Sequence, residues 1–184
     1  MKLVLASASP RRAELLRSAG LEFEQRSADV DESPLRHEGA EAMVLRLSKL
    51  KAQAVAQDFP ESRVLAADTV VVLEGEVLGK PQDEADAVRM LTALSGRSHE
   101  VMTGFALCGS VGPEISTCVR TSVCFRVLSA EEIRAYVASG DPMDKAGAYG
   151  IQSGAAGFVA SIVGSYSNVV GLPLAQVIEF LNQT

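Results

Sequence analysis

Hydrophobic residues along the chain follow two alternating patterns, one typical of buried strands and the other of amphipathic helices. Residues 3–6, 64–67 and 70–73 are short apolar runs, as in strands that are covered on both faces. Residues 40–57 instead carry apolar side chains at helical spacing. Strands joined in part by helices and in part by tight turns are typical of a mixed sheet.

Local signals mark where the helices begin. Ser9, followed by a proline, is typical of a helix N-cap and predicts a helix over residues 10–18. Asp83 predicts a second cap, and Ser129 begins a capping box. Together the patterns predict an α/β fold in a single domain, residues 1–184, with a mixed, elongated central sheet flanked by helices.

Composition narrows the classes of function. The formal net charge is −6 and the pI is about 5.0, so no basic surface field favours nucleic acid as a partner. Two histidines, and three cysteines without CxxC spacing, make a zinc site a poor hypothesis. The sequence shows neither a signal-peptide pattern nor an apolar run of about 18 residues, which predicts a cytoplasmic protein without a membrane partner.

The segment Ser9-Pro10-Arg11-Arg12 is the first candidate for binding chemistry. Free backbone N–H groups at a helix start attract phosphate oxygens, and the forked guanidiniums of Arg11 and Arg12 match phosphate geometry. For an isolated arginine pair, the alternative is a solvated helix start.

Three further residues are candidates because of their surroundings. Asp68 lies between two apolar runs, where it fits a metal ligand or general base, or an ordinary aspartate at a strand end or turn. Lys80 lies in a constrained Gly-Lys-Pro turn, and a solvated loop lysine is the alternative. Gln152 lies in a glycine-rich segment, where its amide can contact the edge of a base unless the segment is an ordinary surface loop.

Weaker signals come from charged residues elsewhere. Asp29, Asp31 and Glu32 can supply oxygen ligands for Mg²⁺ or belong to a solvated acidic loop. Lys49 and Lys51 lie two positions apart on the predicted helix and point in different directions, so at most one needs to face a site. His99, at a loop-to-strand junction, is more typical of a structural histidine than of a catalytic one.

Taken together, these segments resemble the Maf family of nucleoside triphosphate pyrophosphatases over nearly the whole chain. The motifs that carry the resemblance include Ser9-Pro10-Arg11-Arg12, Asp29-Val30-Asp31-Glu32, Lys51-Ala52, Ala67-Asp68-Thr69-Val70-Val71, Gly79-Lys80-Pro81, and residues 144–152 and 168–173. The resemblance implies an α/β fold similar to that of inosine triphosphate pyrophosphatases, with the site in a cleft between two lobes.

The resemblance also implies a reaction, hydrolysis of a nucleoside triphosphate to a monophosphate and pyrophosphate with a divalent cation, Mg²⁺ or Mn²⁺. Asp68 matches the proton acceptor of the family. Arg11, Thr69 and Gln152 match positions that tune nucleotide choice, in a pattern similar to the branch that acts on dTTP and UTP. Relatives often form homodimers. Ser153 departs from the glycine that is usual in the family.

From the resemblance and the residue chemistry we expect Asp68 to activate water and, with Asp31, to hold the metal. The residues expected to bind the triphosphate substrate are Ser9, Arg11, Arg12, Lys51, Lys80, Thr69 and Gln152. Two other functions are considered: a non-catalytic regulator of cell division or septum formation that binds nucleotide or nucleic acid, and a phosphate-monoester hydrolase.

Overall fold

The computed structural model describes residues 2–109 and 112–183, along which helices and strands alternate. The strands are β1 (Lys2–Ala6), β2 (Glu24–Arg26), β3 (Ser62–Leu73), β4 (Glu76–Leu78), β5 (Ser98–Gly109), β6 (Ile115–Phe125) and β7 (Val159–Val163). The helices are α1 (Pro10–Ser18), α2 (Ala40–Ala56), α3 (Glu84–Leu94), α4 (Ala130–Ala138), α5 (Tyr166–Val170) and α6 (Leu174–Asn182). Within the described ranges, no helix is long and apolar enough to cross a membrane.

The strands form one mixed sheet in the order β2-β1-β3-β5-β6-β7, with β4 paired to β3. β1 runs parallel to β2 and to β3, and Leu5 lies opposite Gln25 on one side and Leu65 on the other. Parallel neighbours need crossover connections, and these contain α1 and α2. β3 and β4 are antiparallel and joined by a tight turn, in which Glu74 and Gly75 both have positive φ, as the twist of a hairpin requires. The predicted α/β class with a mixed sheet is confirmed.

The chain divides into two compact units. The first comprises Met1–Thr69, Thr103–Val119 and Gly171–Thr184, and the second comprises Val70–Met102 and Arg120–Val170. Because the boundary falls within β3, β5 and β6, each of these strands contributes residues to both units. A single domain over the full length stays a prediction.

In the first unit the sheet is buried on both faces, which explains the continuous apolar runs of β1 and β3. One core cluster joins α1 to odd-numbered strand residues, and it includes Leu3, Leu5, Ala13, Leu16, Leu65 and Ala67. The other joins α2 to even-numbered strand residues, and it includes Val4, Ala6, Ala52, Val55, Val64 and Ala66. Successive residues of β3 therefore face α1 and α2 in turn.

In the second unit the predicted caps are confirmed. The Asp83 side chain accepts a hydrogen bond from the Asp86 backbone N–H at the start of α3, and Ser129 and Glu132 form a capping box at the start of α4. The two helices pack against each other. Local polar signals thus predict where these helices begin.

Residues 64–67 and 70–73 both lie in β3, which continues through Asp68 from Ser62 to Leu73. Asp68 is therefore within the strand and not at its end. A lysine pairs with the Asp68 carboxylate, so its charge does not end the strand.

Candidate active site

Two neighbouring residues of β3, Asp68 and Thr69, point to opposite faces of the sheet in the first unit. Asp68 continues the row that faces α2, and Thr69 continues the row that faces α1. The pairing of β1 with β3 reaches only Leu65, so both residues lie beyond the carboxyl end of β1. In α/β sheets, ligands commonly bind outside the carboxyl ends of parallel strands.

Lys51 of α2 is the partner of Asp68. Its Nζ lies 2.7 Å from Asp68 Oδ1 and 2.8 Å from Glu32 Oε2, so one ammonium bridges two carboxylates. We call these three residues the Asp68 cluster. The side chains of Lys51 and Asp68 are only 10% and 11% exposed, whereas that of Glu32 is 55% exposed. Lys49, two positions before Lys51 in α2, is exposed, so only Lys51 of this pair points inward. It pairs with the Asp68 carboxylate, which is too buried to be left without a cation.

The acidic loop before α2 brings Glu32, and not Asp31, to Lys51. Asp31 is exposed, and its Oδ1 accepts a hydrogen bond from the Ser33 backbone N–H at 2.9 Å. Hydrogen bonds from the Ser33 side chain and backbone lower the pKa of Asp31. Arg46 of α2 holds the loop by donating to the Ser33 carbonyl oxygen at 3.2 Å. The contacts therefore place Glu32 beside Lys51, whereas Asp31, which was expected to hold the metal, bonds to Ser33.

The N-terminus of α1 has the predicted construction. Ser9 is the N-cap and accepts a hydrogen bond from the Arg12 backbone N–H at 3.5 Å. Arg11 is partly exposed beside it. Burial lowers the pKa of Arg12, and the charge of Arg11 lowers it further, while the Asp68 carboxylate opposes the shift. Two neighbouring cations at a helix N-terminus are favourable for a bound anion.

The Arg12 side chain is held by three acceptors of the first unit. Its Nε donates to the Gly171 carbonyl oxygen at 2.8 Å, Nη1 to Ser7 Oγ at 3.2 Å, and Nη2 to Thr69 Oγ1 at 3.1 Å. Thr69 Oγ1 also lies 2.9 Å from Thr103 Oγ1. A guanidinium has five N–H donors, so Arg12 is oriented by the protein and still has donors for a ligand.

Lys80 and Gln152 are exposed residues of the second unit. The Gly147 backbone N–H donates to the Gly79 carbonyl oxygen at 2.9 Å, which joins the turn of Lys80 to the glycine-rich segment. Gly147 has a φ of 67°, and a Cβ there would lie 2.8 Å from Val71 Cγ2. Only glycine fits this position without strain, so the glycine-rich segment is packed rather than an open surface loop.

A polar cluster in the second unit was not predicted from the sequence. It consists of Asp141, Tyr136, Lys145 and Ser153, and we call it the Asp141 cluster. Each of the other three side chains lies within 3.1 Å of the Asp141 carboxylate. The one signal in the sequence is Tyr136, a polar aromatic residue on the apolar face of α4.

His99 is a buried residue of the second unit and has the structural role that the sequence favours. Its Nε2 lies 2.8 Å from the Tyr149 hydroxyl, and its ring makes edge contacts with Phe125 and Tyr149. Burial lowers the pKa of His99 to about 4. A histidine that stays neutral among aromatic rings fits a core residue.

In the part of the chain that the structure describes, few side chains are placed to coordinate a metal ion. Among residues 2–109 and 112–183, no three acidic, histidine or cysteine side chains are grouped so as to hold a metal. Mg²⁺ typically needs only one or two carboxylates when substrate phosphates supply further oxygens. Glu32 and Asp68, which share one cation already, fit that requirement.

Comparison with known proteins decides the family. The sequence matches the family model described as Maf-like protein over residues 2–184. The chain belongs to the Maf family. A dTTP/UTP pyrophosphatase of Geotalea uraniireducens (strain Rf4) is 56% identical over 182 residues, which cover 98% of this chain and 94% of that protein. A dTTP/UTP pyrophosphatase of Moorella thermoacetica (strain ATCC 39073 / JCM 9320) is 56% identical over 181 residues, which cover 98% and 93%.

A solved structure supports the fold of this Maf protein. A HAM1 protein from Coxiella burnetii matches it with a TM-score of 0.56, covering 100% of both chains at 18% sequence identity. At that identity the likeness concerns the fold alone, and it agrees with the α/β class. The family predicted from the sequence motifs is confirmed.

Proposed function

We propose that this Maf protein hydrolyses nucleoside triphosphates, dTTP and UTP above all, to the monophosphate and pyrophosphate. The Asp68 cluster carries the proposal, because it holds a buried carboxylate on a rigid strand next to an oriented guanidinium. Relatives that are 56% identical over nearly the whole chain are named dTTP/UTP pyrophosphatases. Those names describe enzymes and do not favour a non-catalytic regulator.

In the proposed reaction a water oxygen attacks the α-phosphorus. The bond from that phosphorus to the oxygen bridging the α- and β-phosphates breaks, and pyrophosphate leaves with the bridging oxygen. Asp68 accepts the proton of the water. Lys51 holds Asp68 Oδ1 at 2.7 Å, which orients the carboxylate and leaves Oδ2 to meet the water. General-base catalysis of this kind typically contributes about 10²- to 10⁴-fold in rate.

The cations of the protein would neutralise the triphosphate. Arg11, Arg12, Lys51 and Lys80 are the proposed phosphate-binding side chains, and Ser9 with the N-terminus of α1 would bind further oxygens. Arg12 needs little reorganisation on binding, because three acceptors of the protein already orient it. Preoriented charges of this kind stabilise a transition state most effectively.

A divalent cation, Mg²⁺ or Mn²⁺, is proposed as the cofactor. Glu32 and Asp68 fit it better than the predicted pair of Asp31 and Asp68, because the Asp31 side chain is turned to Ser33. When bound, the cation would supply charge neutralisation at the phosphates.

Selection of the base is assigned to Gln152, whose exposed amide can both donate and accept hydrogen bonds. Arg11 and Thr69 are the other proposed determinants of nucleotide choice. Because the Thr69 hydroxyl binds Arg12 and Thr103, Thr69 would act through the orientation of Arg12.

The nucleoside triphosphate is the partner that the names of the relatives support. A homodimer, a cytoplasmic location and the lack of binding to nucleic acid stay predictions.

The test is a panel of dTTP, UTP, purine triphosphates and a phosphate monoester, with and without Mg²⁺, in which pyrophosphate and phosphate are measured separately. We expect pyrophosphate from dTTP and UTP. Phosphate as the first product would favour the monoester hydrolase, and no product from any substrate would overturn the enzymatic function.

Asp68→Asn tests the assigned base, because it keeps the size of the side chain and removes its basicity. We expect kcat for dTTP to fall by about 10²- to 10⁴-fold while the melting temperature shows a folded protein. Asp58→Asn, at an exposed aspartate of the same unit, is the matched control and should keep wild-type kcat. Near-normal turnover by Asp68→Asn would remove Asp68 from the role of base.

A further inference from the structure

The Gln152 side chain is exposed on a short segment whose backbone is held tightly. Ile151, directly before it, is buried, and the Ser153 backbone N–H donates to the Gly150 carbonyl oxygen at 3.2 Å. Gly150 is itself enclosed, since a Cβ there would lie 2.6 Å from Lys145 Cε and 2.7 Å from Ser153 Oγ. The segment therefore has little freedom, although the amide it presents is open to solvent.

Hydrogen bonds link the Asp141 carboxylate to residues before and after Gln152 in the sequence. Its Oδ2 accepts a hydrogen bond from the Tyr136 hydroxyl at 2.6 Å, and the same hydroxyl accepts one from the Gly150 backbone N–H at 3.1 Å. The Ser153 hydroxyl lies 2.5 Å from Asp141 Oδ2. The residue two positions before Gln152 and the residue directly after it are thus tied to one carboxylate oxygen.

The charge of Asp141 is maintained by these contacts. Burial alone would raise the pKa of Asp141, but hydrogen bonds from Ser153, Tyr136 and Lys145 outweigh it and leave the pKa lowered. Lys145 Nζ lies 3.1 Å from Asp141 Oδ1 and 2.5 Å from the Asp141 carbonyl oxygen. An ionised carboxylate makes stronger hydrogen bonds than a neutral acceptor, so the hydrogen bonds from Tyr136 and Ser153 to Asp141 are strong.

We propose that Asp141 and Ser153 are positioning residues, which fix the backbone on both sides of Gln152 in the place from which its amide reaches the base of the nucleotide. The proposal rests on the proposed function. A binding segment whose backbone is already ordered avoids part of the entropy cost of binding; a saving of about 0.5–1.5 kcal/mol corresponds to about a 2- to 13-fold change in affinity. The Asp68 cluster belongs to the first unit and shares no residue with the Asp141 cluster. Loss of the Ser153 hydroxyl should therefore raise KM and leave kcat almost unchanged.

The test measures kcat and KM for dTTP and UTP with Ser153→Ala, Gln152→Ala and the double variant. We expect Ser153→Ala to raise KM about 2- to 13-fold, with kcat within about twofold of wild type. If Ser153 acts through Gln152, the double variant has the KM of Gln152→Ala alone, because the amide that the hydroxyl helps to place is already absent. Ser153→Thr keeps a hydroxyl and should keep the wild-type KM. Ser161→Ala, at an exposed serine of β7 in the same unit, is the matched control.

The outcomes separate this inference from the function on which it rests. An unchanged KM in Ser153→Ala would overturn the positioning role. The role would also be overturned if Ser153→Ala raised KM by the same factor in the wild-type and Gln152→Ala backgrounds. If Ser153→Ala does not fold, Asp141→Asn is measured with Gln152→Ala in the same cycle, and additivity there overturns the role as well. Absence of pyrophosphate release by the wild-type protein would overturn the proposed function and this inference together.

Discussion

The Asp68 cluster and the Asp141 cluster both pair an aspartate with a lysine, but they use the pair differently. Lys51 is shared between two carboxylates, and within the described residues it is the side chain that donates to Asp68. Asp141 instead receives donors from a tyrosine, a serine and a lysine of its own unit. Asp68 therefore keeps a carboxylate oxygen that can bond to a ligand, whereas both carboxylate oxygens of Asp141 accept hydrogen bonds from side chains of the protein.

This difference favours the Asp68 cluster as the one that carries out the proposed reaction. A carboxylate that keeps an oxygen for an incoming group can take up a proton or help to hold a cation. A carboxylate that already accepts hydrogen bonds from three side chains of the protein is better suited to hold backbone segments in place. We therefore propose that the Asp68 cluster serves the reaction in the first unit and that the Asp141 cluster holds a loop conformation in the second.

Replacing the lysine of each cluster is the strongest test of this difference. Lys51→Met leaves two carboxylates without their shared cation, one of them buried, and should lower the free energy of unfolding by about 3 kcal/mol. Lys145→Met should cost only about 1 kcal/mol, because the Asp141 side chain is 28% exposed and keeps its bonds to Tyr136 and Ser153. Urea unfolding at neutral pH measures both.

Activity measurements on the same two variants add a second criterion. We expect Lys51→Met to abolish most turnover of dTTP and Lys145→Met to keep kcat. Equal losses of stability and activity in the two variants would contradict the distinction between the clusters.

A smaller effect distinguishes the two acidic residues before α2. Glu32→Gln removes the charge that contacts Lys51 and should lower kcat/KM at limiting Mg²⁺ by about 10- to 100-fold, as when a carboxylate that supports a metal is lost. Asp31→Asn is the matched control and should have little effect, because Asp31 bonds to Ser33 instead. The reverse order of effects would restore the original expectation for Asp31.

The smallest expected effect concerns pH and the stability of the second unit. The folded protein keeps His99 neutral down to about pH 4, whereas the unfolded chain protonates it near its ordinary pKa of 6.5. The unfolded state therefore binds more protons between these values, and stability falls as the pH is lowered through them. Between about pH 8 and about pH 5, His99 should account for about 2 kcal/mol of lost stability.

His99→Gln should flatten this part of the curve of unfolding free energy against pH. The lowered pKa of Asp141 does not interfere, because its contribution is lost only at a pH below the ordinary carboxylate pKa of 3.8. An unchanged pH dependence in His99→Gln would assign the effect to other groups.

Local signals predicted much of the fold. Ser9, Asp83 and Ser129 cap the helices that they were expected to cap, because capping depends on residues only three or four positions apart. The apolar runs of β1 and β3 predicted strands buried on both faces, because their periodicity directly reflects burial. Asp68 stood out for the same reason, as a charge within such a run.

Those local signals could not predict contacts between residues that are distant in the sequence. Nothing in the spacing of Asp31 and Glu32 indicates which carboxylate reaches Lys51, because a loop has no periodic face. The link from Tyr136 through Asp141 to Ser153 also joins side chains from α4 and two later turns, and no local pattern records it.

The sequence by itself determined the family, the starts of three helices and the strands buried on both faces, because motifs, caps and periodicity are local properties of the chain. Only the tertiary structure decided which side chains meet. Alternation along β3 turns Asp68 to Lys51 and Thr69 to Arg12, and the packing of α2 and α1 on opposite faces places those partners there. The pairing of charges depends on how buried faces come together, which is a property of the folded chain and not of any one segment.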